Sequence, residues 1–304
     1  MKPIPLILLL TSFQSLFSQA NTEVYLFDLS LENGNPVLTN PKNISNTHGY
    51  DNQPAFMDDH TILFSATRAD QTDIKKFNIE GGSTSEWVSN TPTGSEYSPL
   101  KIPNKEAVSA IRLDLDGLQL LYEYNLKTGE SKPILSNQKV GYHVWFNEDI
   151  LVTSVLVANR MDLVVNNVNE GTQKTLARNV GRSFHKIPNT NLVSYVSKAS
   201  QPWEIRSLDP ISGLTKKLAD IPNQSEDVCW VNGETLLTGT GKSILKFNVG
   251  SDTEWQSVMD FDLDEINNIT RMAINPSGNR LAFVAEVSPI SVIDRQVRTF
   301  NDRD

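Results

Sequence analysis

The chain has 304 residues, 38% of them hydrophobic, which is enough to bury a sizeable core without disulfides, since Cys229 is its single cysteine. Twenty-seven Lys and Arg stand against 36 Asp and Glu, a formal charge of −9. That acidic balance speaks against nucleic acid and anionic membranes as partners, because both require basic patches.

Residues 1–20 read as a secretory signal peptide. Lys2 gives the positive start, residues 4–10 and 13–17 the apolar stretch, and Ser18-Gln19-Ala20 a small-x-small cleavage site. The stretch is too short to span a bilayer comfortably. Cleavage after Ala20 implies a periplasmic or secreted protein. Without Lys2 the basic count falls to 26 against the same 36 acidic residues, giving a mature charge of −10. No other long apolar run follows, so no membrane insertion is expected.

Residues 23–29 then alternate apolar and polar as a β-strand, and Pro36-Val37-Leu38 forms a second, weaker one. From there a fuller unit begins. Gln53-Pro54-Ala55-Phe56 is a strand, Met57-Asp58-Asp59-His60 a tight turn, and Thr61-Ile62-Leu63-Phe64-Ser65 a second strand. Residues 73–79 alternate as a third strand that Gly81-Gly82 ends, and residues 85–88 make a fourth. The unit recurs. Its second strands start at Ile62, Ala107, Ile150, Leu192, Thr235 and Arg280, at spacings of 45, 43, 42, 43 and 45 residues.

A period in the forties with four short strands is the signature of propeller blades. The chain opens on a third-and-fourth-strand pattern and closes on only a first and second, at residues 271–274 and 280–286. The expected fold is therefore an all-β, six-bladed β-propeller whose N-terminal strands complete the C-terminal blade. Closure of that kind leaves no free sheet edge. One propeller is expected over residues 21–290, with residues 291–304 as a C-terminal tail. Cys229, within Val228-Cys229-Trp230-Val231, reads as a small buried hydrophobe.

The unit resembles the repeat of TolB-like six-bladed propellers, in which a Pro-x-aromatic strand runs into a Ser-Pro-Asp-Gly-type hairpin. Residues 53–59 and Asn275-Pro276-Ser277-Gly278-Asn279 carry the likeness most closely. The third and fifth units depart from it, with Asn147-Glu148-Asp149 and Asn232-Gly233-Glu234 at the hairpin. The resemblance implies an exported protein-binding module. It does not imply the role of TolB itself, whose additional N-terminal α/β domain is not expected between Ala20 and the first strand.

Ligands of propellers bind where the segments leading into the inner strands converge. Here that ring comprises Asp51, Glu96, Tyr97, Tyr142, His143, Arg182, Glu226, Asp227 and Arg271. Carboxylates, aromatics and arginines together suit a protein, peptide or saccharide ligand. No metal or cofactor is expected. The four histidines (His48, His60, His143 and His185) lack metal-ligand spacing, and no Gly-x-Ser-x-Gly nucleophile is present. An alternative reading is a hydrolase or lyase acting on a carbohydrate or lactone, with His143 or His185 as base near Glu226 and Asp227. A monomer is expected.

Two further patterns carry less. Gly239-Thr240-Gly241-Lys242-Ser243 imitates a phosphate loop but reads as a hairpin turn, since the earlier Gly is missing and no helix follows. The alternating carboxylates of residues 260–264 lack the Gly and Glu of a calcium loop and read as a solvated rim strand.

Overall fold

The structure, a computed structural model, describes residues 21–80, 84–262 and 266–287. The expected signal peptide, the Gly81-Gly82 strand end, residues 263–264 of the acidic run and the C-terminal tail lie outside the described residues.

Two strands come first, β1 (Thr22–Glu32) and β2 (Asn35–Asn43). Blade 1 is β3 (Asn52–Phe56), β4 (Thr61–Arg68), β5 (Gln71–Asn78) and β6 (Ser85–Trp87). Blade 2 is β7 (Gly94–Lys101), β8 (Ala107–Asp114), β9 (Gln119–Asn125) and β10 (Ser131–Leu135). Blade 3 is β11 (Val140–Trp145), β12 (Ile150–Val157), β13 (Arg160–Asn167) and β14 (Thr172–Arg178). Blade 4 is β15 (Val180–Lys186), β16 (Val193–Ser197), β17 (Glu204–Leu208) and β18 (Thr215–Asp220). Blade 5 is β19 (Val228–Trp230), β20 (Thr235–Thr240), β21 (Ser243–Asn248) and β22 (Gln256–Asp260). The last two strands, β23 (Asn267–Ile274) and β24 (Arg280–Glu286), join the first two in a sheet of order β2-β1-β24-β23. Six four-stranded antiparallel sheets result, a six-bladed propeller with the expected closure.

Second strands are buried on both faces, because each blade is sandwiched between its neighbours. Residues 62–66 of β4 and 281–285 of β24 are all essentially inaccessible. The second is an unbroken apolar run and the first is broken only by Ser65, whereas rim strands such as β6 are exposed throughout. Apolar clusters therefore lie between blades rather than inside them. Leu63 and Ile74 of blade 1, for example, pack on Val108, Ala110 and Tyr124 of blade 2.

The odd hairpins of blades 3 and 5 have a local explanation. Asn147 Oδ1 accepts the backbone N–H groups of Asp149 (3.0 Å) and Ile150 (2.7 Å), and Asn232 Oδ1 those of Glu234 and Thr235 (both 2.8 Å). An asparagine side chain thus ties the turn that Pro-Asp-Gly would otherwise preset. The Thr240–Ser243 segment is the expected hairpin, pairing β20 with β21.

Closure is built on a seven-residue ladder running from Thr22↔Glu286 to Asp28↔Arg280. Tyr25 and Phe27 stack on Phe283 at 5.9 and 5.2 Å between ring centroids, and Phe261 meets Phe27 edge-on at 5.5 Å. Arg280 pairs with Asp28 beside the ladder. A second tie sits at the far end of the inner strands. There Asp59 of blade 1 accepts Ser277 N (2.8 Å), Ser277 Oγ (2.5 Å) and Asn275 Nδ2 (2.8 Å) of the last blade. Cys229 is buried, and burial raises its thiol pKa.

Candidate functional site at the channel mouth

All six inner strands contribute to one cavity of about 90 Å³ on the central axis. Its upper ring holds Gln53, Ser98, Tyr142, Arg182, Asp227 and Arg271, each from a different blade. Gln53, Ser98 and Arg271 sit at register breaks of β3, β7 and β23, with φ of 56°, 53° and 51°. Positive φ is strained for such residues and costs on the order of 1–3 kcal/mol each. Bulges of this kind turn a side chain out of its pleat, here toward the axis.

The ring is chemically lopsided. On the side of blades 1 and 2, Gln53 Oε1 accepts Ser65 Oγ (3.0 Å) and Ser98 N (2.9 Å), and Pro54 and Pro99 follow the two bulges. The other side is charged. Arg182 grips Asp227 with both arms, Nε to Oδ1 at 3.0 Å and Nη2 to Oδ2 at 2.5 Å, and lies 3.3 Å from Glu226. Lys198 completes the cluster by pairing with Glu226. Arg271 donates to the Tyr142 hydroxyl at 3.1 Å, with its guanidinium carbon 5.0 Å from the centre of that ring. Its Nε is 4.0 Å from Asp227. Burial alone would raise the Asp227 pKa, but the Arg182 hydrogen bonds and the charges of both arginines hold it below the usual carboxylate range. Three cations thus face two carboxylates.

Five of the nine residues expected at the mouth line this cavity: Tyr142, His143, Arg182, Asp227 and Arg271. Glu226 stands behind Arg182. Tyr97 packs edge-on against Tyr50 at 6.1 Å, where burial pushes the Tyr50 hydroxyl up to about 12.

Asp51 and Glu96 do not line the cavity, and both are fully buried. Each precedes the bulge of its segment, so its side chain is directed between blades. Asp51 accepts Thr47 Oγ1 at 2.5 Å. Glu96 accepts Tyr124 Oη and Ser89 Oγ, both at 2.9 Å, and Ser89 Oγ also lies 3.0 Å from Asp73. Burial pushes both carboxyls up to about 7, with the nearby Asp73 carboxyl adding to the effect on Glu96.

His143 and His185 both lie on the cavity wall. Burial pushes His143 down to about 3 and His185 to about 4, the latter despite the opposing charge of Asp227. His143 Nε2 lies 2.7 Å from Ser109 Oγ. Sequence reading missed the layer below the ring, formed by Pro54, Pro99, Ser183, Phe184, Val228 and Met272 with His143. The X-Pro pairs at Gln53-Pro54 and Ser98-Pro99 were its one visible trace.

No protein-family model matches the chain, and no curated protein matches it in sequence. Its fold is that of TolB-like six-bladed propellers. A TolB-type protein of Agrobacterium tumefaciens superposes with a TM-score of 0.69 at 10% identity, covering 89% of this chain and 100% of that one. TolB of Acinetobacter baumannii gives 0.53 at 12% identity, over 88% of this chain and 64% of that one. A gluconolactonase of Xanthomonas campestris gives 0.59 at 8% identity, over 86% and 94%. Likeness at such identities is a likeness of fold, on which unrelated chemistries are grafted. Among the described residues no helix is long and apolar enough to cross a membrane.

Proposed function

We propose that this chain is an exported, non-catalytic propeller that binds a carboxylate-bearing protein, peptide or saccharide at the channel mouth. The observation that carries the reading is the position of Arg271. Both oxygens of its nearest carboxylate, Asp227, are engaged by Arg182. Arg271 therefore meets the cavity with a phenol as its side-chain hydrogen-bond partner. A guanidinium held at the wall of a shielded pocket is suited to an incoming carboxylate. The uncharged Gln53 and Ser98 side gives such a ligand a single orientation. Export rests on the signal-like residues 1–20.

The hydrolase or lyase reading needs a base oriented by a carboxylate. His143 and His185 do lie in the channel, but neither makes an ion pair among the described residues, and both have depressed pKa values. Binding is the better-supported reading.

The test is Arg271→Gln, titrated with N-acetylglycine and with glucuronate by calorimetry. Loss of a charge-assisted hydrogen bond should weaken both by about tenfold or more. Unchanged affinity would move the site off the axis, to the rim or the side of the disc.

A further inference from the structure

Nine large apolar side chains stand exposed among the described residues, and five of them gather on one face. Leu113, Leu115 and Leu118 belong to the hairpin between β8 and β9, and Leu156 and Val157 to the hairpin between β12 and β13. Both hairpins lie on the mouth face. The ends of β8 and β12 pair with the starts of the inner strands β7 and β11, as Gly94↔Asp114 and Val140↔Val155. The corresponding turns of blades 1, 4 and 5 carry Ala69-Asp70, Lys198-Ala199-Ser200-Gln201 and Gly241-Lys242. The repeat itself therefore asks for no apolar tip.

Nor does the turn ask for one. Between β8 and β9, Asp116 Oδ1 accepts the Leu118 N–H at 2.9 Å, and Gly117, at a φ of 87°, donates its N–H to the Asp114 carbonyl at 2.9 Å. Asp and Gly set such a turn by themselves. The leucine side chains are left to solvent, and Leu115 is 86% exposed.

The two hairpins form one surface, and it reaches the channel. Gln119 Nε2 donates to the Val140 carbonyl at 2.6 Å, and the Leu156 N–H to the Lys139 carbonyl at 2.9 Å, so residues 139–140 join them. Leu156 and Met161 lie so close over Gly141 that a Cβ there would stand 3.3 and 3.2 Å from them. The next residue is Tyr142, whose hydroxyl accepts from Arg271 at the cavity wall. An aliphatic track thus runs from the hairpin tips to the guanidinium. Contiguous apolar surface beside a polar site marks a place where another molecule sits. Leucine and valine tips offer a saccharide neither a hydrogen bond nor a flat ring to stack on. Asp114 and Asp116 at the same tips disfavour an anionic lipid surface.

We propose that the mouth-face hairpins of blades 2 and 3 dock a polypeptide partner. Its chemistry is an acidic residue, held by Arg271, joined to aliphatic side chains laid on Leu115, Leu118, Leu156 and Val157. This rests on the channel-mouth reading above and narrows its ligand from protein, peptide or saccharide to polypeptide. The hairpins supply the apolar area and Arg271 the orientation.

The test pans random dodecapeptides, displayed on phage, against the parent protein. Recovered peptides should join Asp or Glu to Leu, Ile or Val above library frequency, and the strongest, made synthetically, is titrated by calorimetry. The double change Leu115→Ser with Val157→Ser should weaken it about tenfold or more, as should Arg271→Gln. Both hairpin positions are exposed, so the double variant should melt like the parent. No enrichment, peptides without aliphatic residues, or an affinity untouched by the double change would each overturn the docking surface. Loss with the double change but not with Arg271→Gln keeps the docking surface and fells the channel-mouth reading. The reverse keeps the mouth and refutes this inference. Sedimentation velocity and flotation with phosphatidylcholine vesicles complete the test. A parent that dimerises or floats, where the double variant does neither, would give the face to a second copy or to lipid and overturn the polypeptide partner.

Discussion

The seam that closes the ring and the ring that lines the channel are built on opposite terms. At the seam, β1 and β24 pair without a break over seven residues, and Tyr25, Phe27, Phe261 and Phe283 pack ring on ring. At the channel, three of six inner strands break register on strained residues, and the side chains released are polar or charged. Regular ladders and apolar area hold the molecule together. Irregular backbone spends part of that stability on aiming six side chains at one axis. Substitutions should therefore divide cleanly by region, seam changes acting on folding and ring changes on binding.

Deleting residues 21–31 is the severest test of the division. Without β1, the last blade exposes the edge of β24, with Leu281, Phe283 and Ala285 beside it. Aggregation or loss of cooperative melting is expected, since a long apolar edge recruits other chains. A deletion protein that stays monomeric and melts within a few degrees of the parent would disprove the seam's role.

Asp227→Ala probes the one place where the ring itself is structural. It strips Arg182 of a two-armed partner while Glu226 stays 3.3 Å away, and losing a charge-assisted, part-buried pair costs about 1–3 kcal/mol. Urea denaturation measures the loss, and a cost near zero would show the cluster to be solvated. The double change Arg182→Met with Asp227→Leu should regain much of that stability, because apolar side chains of similar volume often replace a buried pair without loss.

The smallest effect concerns pH. The raised Asp51 and Glu96 values mean that the folded state holds protons the unfolded chain has released. Their contribution is full below about pH 4 and is lost as pH rises through about 7. The depressed histidines act the other way, costing stability as pH falls below about 6.5. The two slopes oppose each other in the parent. Glu96→Gln removes one falling limb, so its melting temperature relative to the parent should climb by a few degrees between pH 4.5 and 7.5. A difference independent of pH would refute the raised Glu96 value.

The same contrast explains what could be read from the residues alone. Strand period, turn chemistry and the unmatched ends are local signals, and they led to six blades and the closing pair. The channel depends on bulges, which flip every later side chain to the other face. Asp51 and Glu96 stand before such breaks, and a choice made on the polarity of converging segments could not see that their side chains turn between blades. Gln53 and Ser98 were overlooked for the same reason. Carboxylates at the start of third strands pair within their own strand, Asp73 with Gln71 and Asp162 with Arg160, but their further partners in the following segment were illegible. Asp73 meets Ser89 Oγ at 3.0 Å, Asp162 lies 3.4 Å from Asn179 N, and Glu23 accepts Ser45 Oγ at 2.6 Å. Tyr142, Arg182, Asp227 and Arg271 were found because loops that converge in space are also polar in sequence.

The pairing of β1 with β24 sets an order on synthesis. Among the described strands β1 is the first and β24 the last; β1 pairs at once with β2, yet its second partner is β24, and both of its faces are apolar through Val24, Tyr25, Leu26 and Phe27. Five blades can assemble from neighbouring segments, while the β1–β2 hairpin keeps one edge open. Joining the most distant segments carries the largest loop-closure cost. Ring closure is thus expected to be the slow step, and until it happens the open edge of β1 is exposed to mispairing. A holdase that shields one short segment near the N-terminus would be enough to protect the whole nascent molecule.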